Sequence, residues 1–298
     1  MSWQQFIFQT DARHSDNLSS LLSDYGAQSV TIRDAGDVPI FEPPLNTEPL
    51  WPEIVISGLF SAEQDLSTIV TMVKNQLGQA LDYKIEILED KDWVREWMDN
   101  FHPIQFGPKL WICPSWKTPP DEEAVNILLD PGLAFGTGTH ETTALCLRWL
   151  DQHQQKFQNK KVLDFGCGSG ILAIAANKLG ANDVYAVDID PQAIQATQDN
   201  AKKNDVPANE LTCIISKDFA TQDYQYSFDL VVANILARPL IELVELITSF
   251  LKPDGQIVLS GILKNQATEV IEAYQDYIQF EPVVIDGDWV RLSGDKRK

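Results

Sequence analysis

No apolar run in this 298-residue sequence approaches the ~18 residues that a membrane-spanning helix needs, so no membrane association is expected. Cysteine is scarce: Cys113, Cys146, Cys167 and Cys213 lie far apart with no C-x-x-C pair, which leaves neither a zinc site nor a disulfide framework to read. The four histidines (His14, His102, His140, His153) are equally scattered, and no metal is expected. Positive charge is in deficit, with 23 Lys+Arg against 43 Asp+Glu for a net charge of −20. A surface of that sign repels phosphate backbones, so direct nucleic-acid binding is not expected. It attracts a basic partner and steers its approach, although acidity also serves solubility alone. The opening Met1-Ser2-Trp3-Gln4-Gln5 lacks the basic and apolar regions of a secretory leader, and the expected address is the cytoplasm. There is no repeat of solenoid period and no low-complexity tract.

What is present divides into two patterns, as the length suggests. Residues 1–90 read as β-α-β-β-α-β, a small N-terminal α+β (ferredoxin-like) domain. Its strands are expected at 3–9, 29–32, 54–56 and 83–88, and its helices at 17–25 and from a cap near Ser61 to Leu77. Five prolines make 34–52 mostly loop. Residues 91–102 read as a linker helix, with Trp93 and Trp97 on one face at i, i+4. From 103 to 298 the reading changes. Two strands, 110–113 and 125–129, flank a Pro-rich turn, and a helix follows at 141–150. Strands at 161–165, 183–188, 211–215, 228–233 and 256–259 then alternate with helices at 170–179, 191–203 and 239–251. Such alternation predicts an α/β, Rossmann-like domain whose parallel sheet has helices on both faces.

The segment Val162-Leu163-Asp164-Phe165-Gly166-Cys167-Gly168-Ser169-Gly170 carries the most chemistry. A buried strand runs into three glycines and then a helix start, where backbone can approach a ligand closely. A dinucleotide fingerprint places its third glycine three residues after the second. Here the spacing is G-x-G-x-G, with Asp164 two residues before Gly166, which suits a methionine-tailed nucleoside better than a pyrophosphate. The next strand ends in Asp188, a carboxylate placed to accept both ribose hydroxyls of an adenosine group. Asp190-Pro191 reads instead as a helix N-cap and first-turn pair. The strand 228–233 runs into Asn234, an unfavourable strand residue whose amide offers donors and an acceptor where a reactive sulfonium would sit.

With these segments in view, the chain resembles class I S-adenosylmethionine-dependent methyltransferases, and more closely the PrmA family, which methylates ribosomal protein L-eleven. The specific signal is Asp130-Pro131-Gly132-Leu133-Ala134-Phe135-Gly136-Thr137-Gly138-Thr139-His140-Glu141-Thr142-Thr143, followed in order by the glycine segment, Asp188-Ile189-Asp190, Ala233-Asn234-Ile235-Leu236 and Leu259-Ser260-Gly261-Ile262-Leu263. The resemblance covers 103–298 strongly and the first ninety residues only in size and element order. It implies that Thr143, Gly166, Asp188 and Asn234 touch S-adenosylmethionine, adding Thr143 to a residue-level set that holds Asp164, Gly166, Gly168, Asp188 and Asn234. It also implies that the N-terminal domain recognises the ribosomal protein, free or on the ribosome, and that lysine side chains and the N-terminal amine are the acceptors. The expected mechanism is an in-line displacement by a neutral amine that Asn234 orients. No general base stands out, and His140 is read as a loop hydrogen-bonding group ahead of a base. The alternatives are a nicotinamide-dependent oxidoreductase, a binding module with a vestigial site, and a methyltransferase acting on another protein or a small molecule.

Overall fold

The computed structural model describes the chain except residues 1, 37, 39, 41–46, 48, 79–81, 89–100, 131–139 and 220–222. Two compact units emerge, Met1–Asp99 and Asn100–Lys298. Most of the expected linker helix lies outside the described residues, and Phe101 and His102 are not helical.

In the first unit β1 (Trp3–Asp11), α1 (Ser15–Asp24), β2 (Ser29–Asp34), β3 (Glu53–Ser61), α2 (Ser67–Leu77) and β4 (Tyr83–Leu88) follow one another. The sheet order is β2-β3-β1-β4, with every pair antiparallel. Period-two alternation turns Phe6, Phe8, Ile54, Ile56 and Phe60 onto one face, where Leu18 and Leu22 of α1 and Ile69 and Val73 of α2 cover them. The second helix starts later than the sequence suggests. Phe60 prolongs the buried alternation of β3 as far as Ser61, which pairs with Trp3, and the helix opens only where Asp65 accepts the Ser67 N–H at 2.9 Å. Gly78, in the left-handed region at φ 63, ends it as expected.

The second unit opens with a three-stranded sheet of β5 (Ile104–Gly107), β6 (Leu110–Cys113) and β7 (Val125–Leu128). The strands flanking the Pro-rich turn, β6 and β7, are parallel, so residues 114–124 form a crossover and not a hairpin. The main sheet is built from β8 (Lys161–Phe165), β9 (Asp183–Asp188), β10 (Leu211–Ile215), β11 (Phe228–Asn234), β12 (Leu251–Leu263), β13 (Ile278–Phe280), β14 (Val284–Asp286) and β15 (Trp289–Lys296). Its order is β10-β9-β8-β11-β12-β15-β13, with β14 also pairing β15. The first five are mutually parallel and β15 runs antiparallel to its partners. The helices are α3 (Glu141–Gln152), α4 (Ile171–Lys178), α5 (Pro191–Lys203), α6 (Ala237–Glu242), α7 (Val244–Phe250) and α8 (Ala267–Tyr274), with one-turn helices at Gln154–Phe157 and Ser216–Phe219.

Successive residues of the central strands feed two cores. Val162, Leu230, Val232 and Val258 pack with Leu147, Ile171 and Ile174 on one face, while Leu163, Val231, Ala233 and Leu259 pack with Leu240, Ile247 and Val270 on the other. Burial on both faces explains why these strands read as unbroken apolar runs. The single helix expected at 239–251 is two, broken at Leu243, and Leu251 already belongs to β12 opposite Phe228. From β8 the chain adds β9 and β10 on one side, then crosses to β11 on the other. The order therefore reverses between β8 and β11, and a ligand crevice is expected beyond their carboxyl ends.

Candidate active site

The turn after β8 is shaped by three glycines in the left-handed region, with φ 83 at Gly166, 54 at Gly168 and 77 at Gly170. Side-chain-bearing residues avoid those torsions, which accounts for the alternate glycines. The N–H groups of Gly166 and Cys167 both donate to Val187 O, at 2.8 and 3.0 Å, and so tie the turn to β9. At the tip of β9 the partly exposed Asp188 is held through both oxygens. Gly168 N–H donates to Oδ2 at 2.9 Å and Asp190 N–H to Oδ1 at 3.0 Å. A carboxylate has about four acceptor directions, so each oxygen retains one for a further donor. Asp190 caps α5 by accepting the Gln192 N–H at 2.8 Å, as its place before Pro191 suggests.

Asp164 sits one strand over and is enclosed. Its Oδ2 accepts the Ala173 N–H of α4 at 2.9 Å, while Oδ1 is buried with no partner among the described residues. Burial drives its pKa up to about 7, the Ala173 N–H opposes the rise, and the charge of Asp188 adds to it. On β11, Val232 lies opposite Asp164, so Asn234, two residues on, projects from the same face. Asn234 Nδ2 donates to Thr143 Oγ1 at 3.2 Å, and Asn234 Oδ1 is a second buried acceptor without a partner among the described residues. Thr143 is fully buried in the first turn of α3. The structure thus brings Thr143 to Asn234, and Gly168 to Asp188. Of the Gly-Thr segment, 131–139 lies outside the described residues. His140 is the N-cap of α3, its Nδ1 accepting the Thr142 N–H at 3.3 Å.

Some neighbours escaped the sequence reading. Ile189, beside Asp188, is 84% exposed, an apolar side chain standing in solvent at the strand tip. On α5, Thr197 Oγ1 donates to Gly168 O at 3.1 Å and Asn200 Nδ2 to Ser169 O at 2.9 Å. One turn further, Asn204 holds both the N–H and the carbonyl of Leu128, and Lys203 pairs with Asp130 at 2.7 Å. The available signal was polar residues at i, i+3 and i+7 on the core-facing stripe of an amphipathic helix. No thiol competes as a nucleophile: burial pushes Cys146 up to about 12 and Cys213 up to about 11, and Cys167 is also raised. Among the described residues, no group of three or more His, Cys, Asp or Glu could hold a metal. Among those residues no helix is long and apolar enough to cross a membrane.

A reversing parallel sheet with one antiparallel strand inserted next to its edge, and a G-x-G-x-G turn at the switch point, is the fold of class I S-adenosylmethionine-dependent methyltransferases. The sequence model for "Ribosomal protein L11 methyltransferase (PrmA)" matches residues 2–297. Similar relatives bear the same name. One, from Shewanella woodyi, is 54% identical over 296 residues and 99% of each chain. Another, from Alteromonas mediterranea, is 51% identical over 299 residues and 100% of each chain. The crystal structure of a ribosomal protein L11 methylase from Lactobacillus delbrueckii subsp. bulgaricus is 35% identical with a TM-score of 0.60, covering 66% of this chain and 100% of that one. This chain belongs to the PrmA family of ribosomal protein L11 methyltransferases.

Proposed function

We propose that the chain is a cytoplasmic protein methyltransferase that transfers methyl groups from S-adenosylmethionine to lysine side-chain and N-terminal amines of ribosomal protein L11. The observation that carries the cofactor assignment is the pairing of a fixed, partly exposed carboxylate at Asp188 with an orphaned buried acceptor, Asp164 Oδ1. Buried acceptors left unpaired are costly, and a ligand rich in donors and positive charge removes that cost. S-adenosylmethionine has that character, with ribose hydroxyls for Asp188, a cationic ammonium for Asp164 and a flat purine to cover Ile189. A dinucleotide fits less well. Its pyrophosphate would seek the N-terminus of α4, where the Asp164 carboxyl already accepts the Ala173 N–H.

Bound S-adenosylmethionine supplies an electrophilic methyl group on a sulfonium, so the chain's task is positioning. Thr143 fixes the rotamer of Asn234 by accepting its Nδ2–H, leaving Asn234 Oδ1 as the acceptor that receives an amine N–H and aims the nitrogen lone pair. A free lysine titrates near ~10.4, so the amine must arrive neutral or lose its proton to solvent before attack. His140 is not assigned the role of base, because its Nδ1 is engaged with the Thr142 N–H at the N-cap of α3. The N-terminal unit is assigned the recognition of the ribosomal protein, and the net charge of −20 favours the approach of a basic partner.

The test is incubation of the purified chain with ribosomal protein L11 and S-adenosylmethionine, followed by intact-mass and peptide mass spectrometry. The expected result is addition of whole methyl groups on amines. A donor-binding chain that leaves this substrate unmodified would overturn the substrate assignment.

A further inference from the structure

We propose that Thr197, a residue of α5, is a positioning residue for the ribose-binding carboxylate of Asp188, acting through the backbone of Gly168. The proposal rests on the S-adenosylmethionine reading of the site and deepens it.

Gly168 stands at φ 54 with no side chain to hold its torsions, yet it is the residue whose N–H orients Asp188 Oδ2 at 2.9 Å. A glycine in a turn has the widest backbone freedom of any residue, so that donor is well aimed only if something else fixes the backbone on both sides of its Cα. On the N-terminal side the fixing is done by Gly166 and Cys167, whose N–H groups share Val187 O. On the C-terminal side it is done by α5. Thr197 Oγ1 donates to Gly168 O at 3.1 Å and lies 3.3 Å from Cys167 Sγ, while Asn200 Nδ2 donates to Ser169 O at 2.9 Å. The hydroxyl therefore closes a chain from α5 through Gly168 C=O and Gly168 N–H to the carboxylate.

Packing alone does not call for threonine here. The side chain is fully buried, and a buried hydroxyl opposes folding unless it is bonded, whereas valine would fill the same volume with no polar atom. Threonine in a helix interior also commonly turns its hydroxyl back to the i−4 carbonyl. In this chain it reaches out of the helix to the turn. The turn has been shaped to receive it: a Cβ on Gly170 would lie 2.5 Å from Thr197 Cγ2 and 2.8 Å from Oγ1, so the third glycine makes room for this residue. Gly170 is thus required twice over, by its left-handed torsion and by the room that Thr197 occupies.

The experiment is a ligand-by-variant cycle read by calorimetric titration of the full chain. The ligands are S-adenosylhomocysteine and its 2′,3′-dideoxy analogue; the proteins are the natural chain, Thr197→Val and Thr197→Ser. The natural chain is expected to bind S-adenosylhomocysteine more tightly than the dideoxy analogue. Thr197→Val is expected to lose about tenfold in affinity for S-adenosylhomocysteine while its affinity for the dideoxy analogue stays within about twofold, a coupling that independent sites do not show. Thr197→Ser, which keeps the hydroxyl, should restore the natural preference. In turnover the same valine variant should raise KM for S-adenosylmethionine with kcat at saturation nearly unchanged. If Thr197→Val does not fold, Thr197→Ala, which also lacks the hydroxyl and adds no branch, is expected to give the same pattern. Equal losses for both ligands, or no loss for either, would overturn the proposal and leave the cofactor site standing. A natural chain with no affinity for S-adenosylhomocysteine would overturn the cofactor reading and the proposal together.

Discussion

A carboxyl group enclosed between a sheet and a helix holds its proton longer than one in water, and Asp164 is 1% exposed with a single N–H partner. Its pKa of about 7 lies above the ordinary value of 3.8. The folded chain therefore binds this proton more tightly than the unfolded chain does, and stability falls as pH rises. The contribution is fully present below 3.8 and is lost as pH climbs to about 7, a change on the order of 4 kcal/mol over that window. Chemical denaturation of the ligand-free chain between pH 4 and 8 should show this downward slope, and Asp164→Asn should flatten it. Asn234 carries a separable expectation. Asn234→Ala removes one hydrogen bond to Thr143, worth about 1 kcal/mol of stability, but also the acceptor proposed to aim the amine. Turnover should drop about 100-fold while the melting temperature moves only a few degrees. Turnover at the natural level in that variant would remove its assigned role. At this scale the legible positions were those whose residue type conflicts with its local setting: glycines at a strand end, an acid at a strand tip, an amide closing an apolar run. Thr197 and Ile189 present no such conflict. A threonine in a helix and an isoleucine between two acids become informative only once Gly168 and the strand tip are placed beside them.

Elements meet at the site through close backbone approaches, and these can be tested by adding one methyl group. A Cβ on Gly261 would lie 2.2 Å from Ile235 O, at φ 82, where β12 bends past the end of β11. Backbone cannot move aside as a side chain can, so Gly261→Ala should destabilise the chain by about 3 kcal/mol or more. A Cβ on Gly166 would lie 2.3 Å from Ile235 Cγ2, also at positive φ, and Gly166→Ala should weaken S-adenosylhomocysteine binding as the turn is pushed off β11. Gly78 is the control. It too has positive φ, 63, but among the described residues nothing lies within 4 Å of a Cβ there, so Gly78→Ala should cost only about 1 kcal/mol. Thermal melts of the three variants rank them, and a Gly261 variant as mild as the Gly78 variant would contradict the packing described here. The strands of the central sheet were legible at this scale because burial on both faces leaves unbroken apolar runs, and the strands of the first unit because of their alternation. The start of α2 was misplaced because Ser61-Ala62-Glu63-Gln64 carries cap-like chemistry while belonging to the end of β3 and its turn. The C-terminal β13, β14 and β15 went unread because residues 278–296 mix charged and apolar positions without a clean period, and their place depends on pairing with β12.

For the whole molecule, composition alone fixes one physical property that no element reveals, the net charge of −20. A basic protein substrate approaching such a surface is drawn in over distances set by the Debye length, about 10 Å at 0.1 M salt and about 3 Å at 1 M. The small cofactor, with opposing charges on one molecule, feels little of that field. The two ligands should therefore separate under salt. Raising ionic strength from about 0.05 to about 0.5 M should lower kcat/KM for ribosomal protein L11 by about tenfold, acting through the association step. The affinity for S-adenosylhomocysteine over the same range should change by less than about twofold, because the proposed contact is short-range hydrogen bonding to Asp188, itself fixed by the Gly168 and Asp190 N–H groups. Stopped-flow association and calorimetric titration read the two arms independently. A substrate arm as flat as the cofactor arm would mean that the acidity serves solubility alone. The substrate would then have to be chosen by contacts within the N-terminal unit and not by the field of the chain.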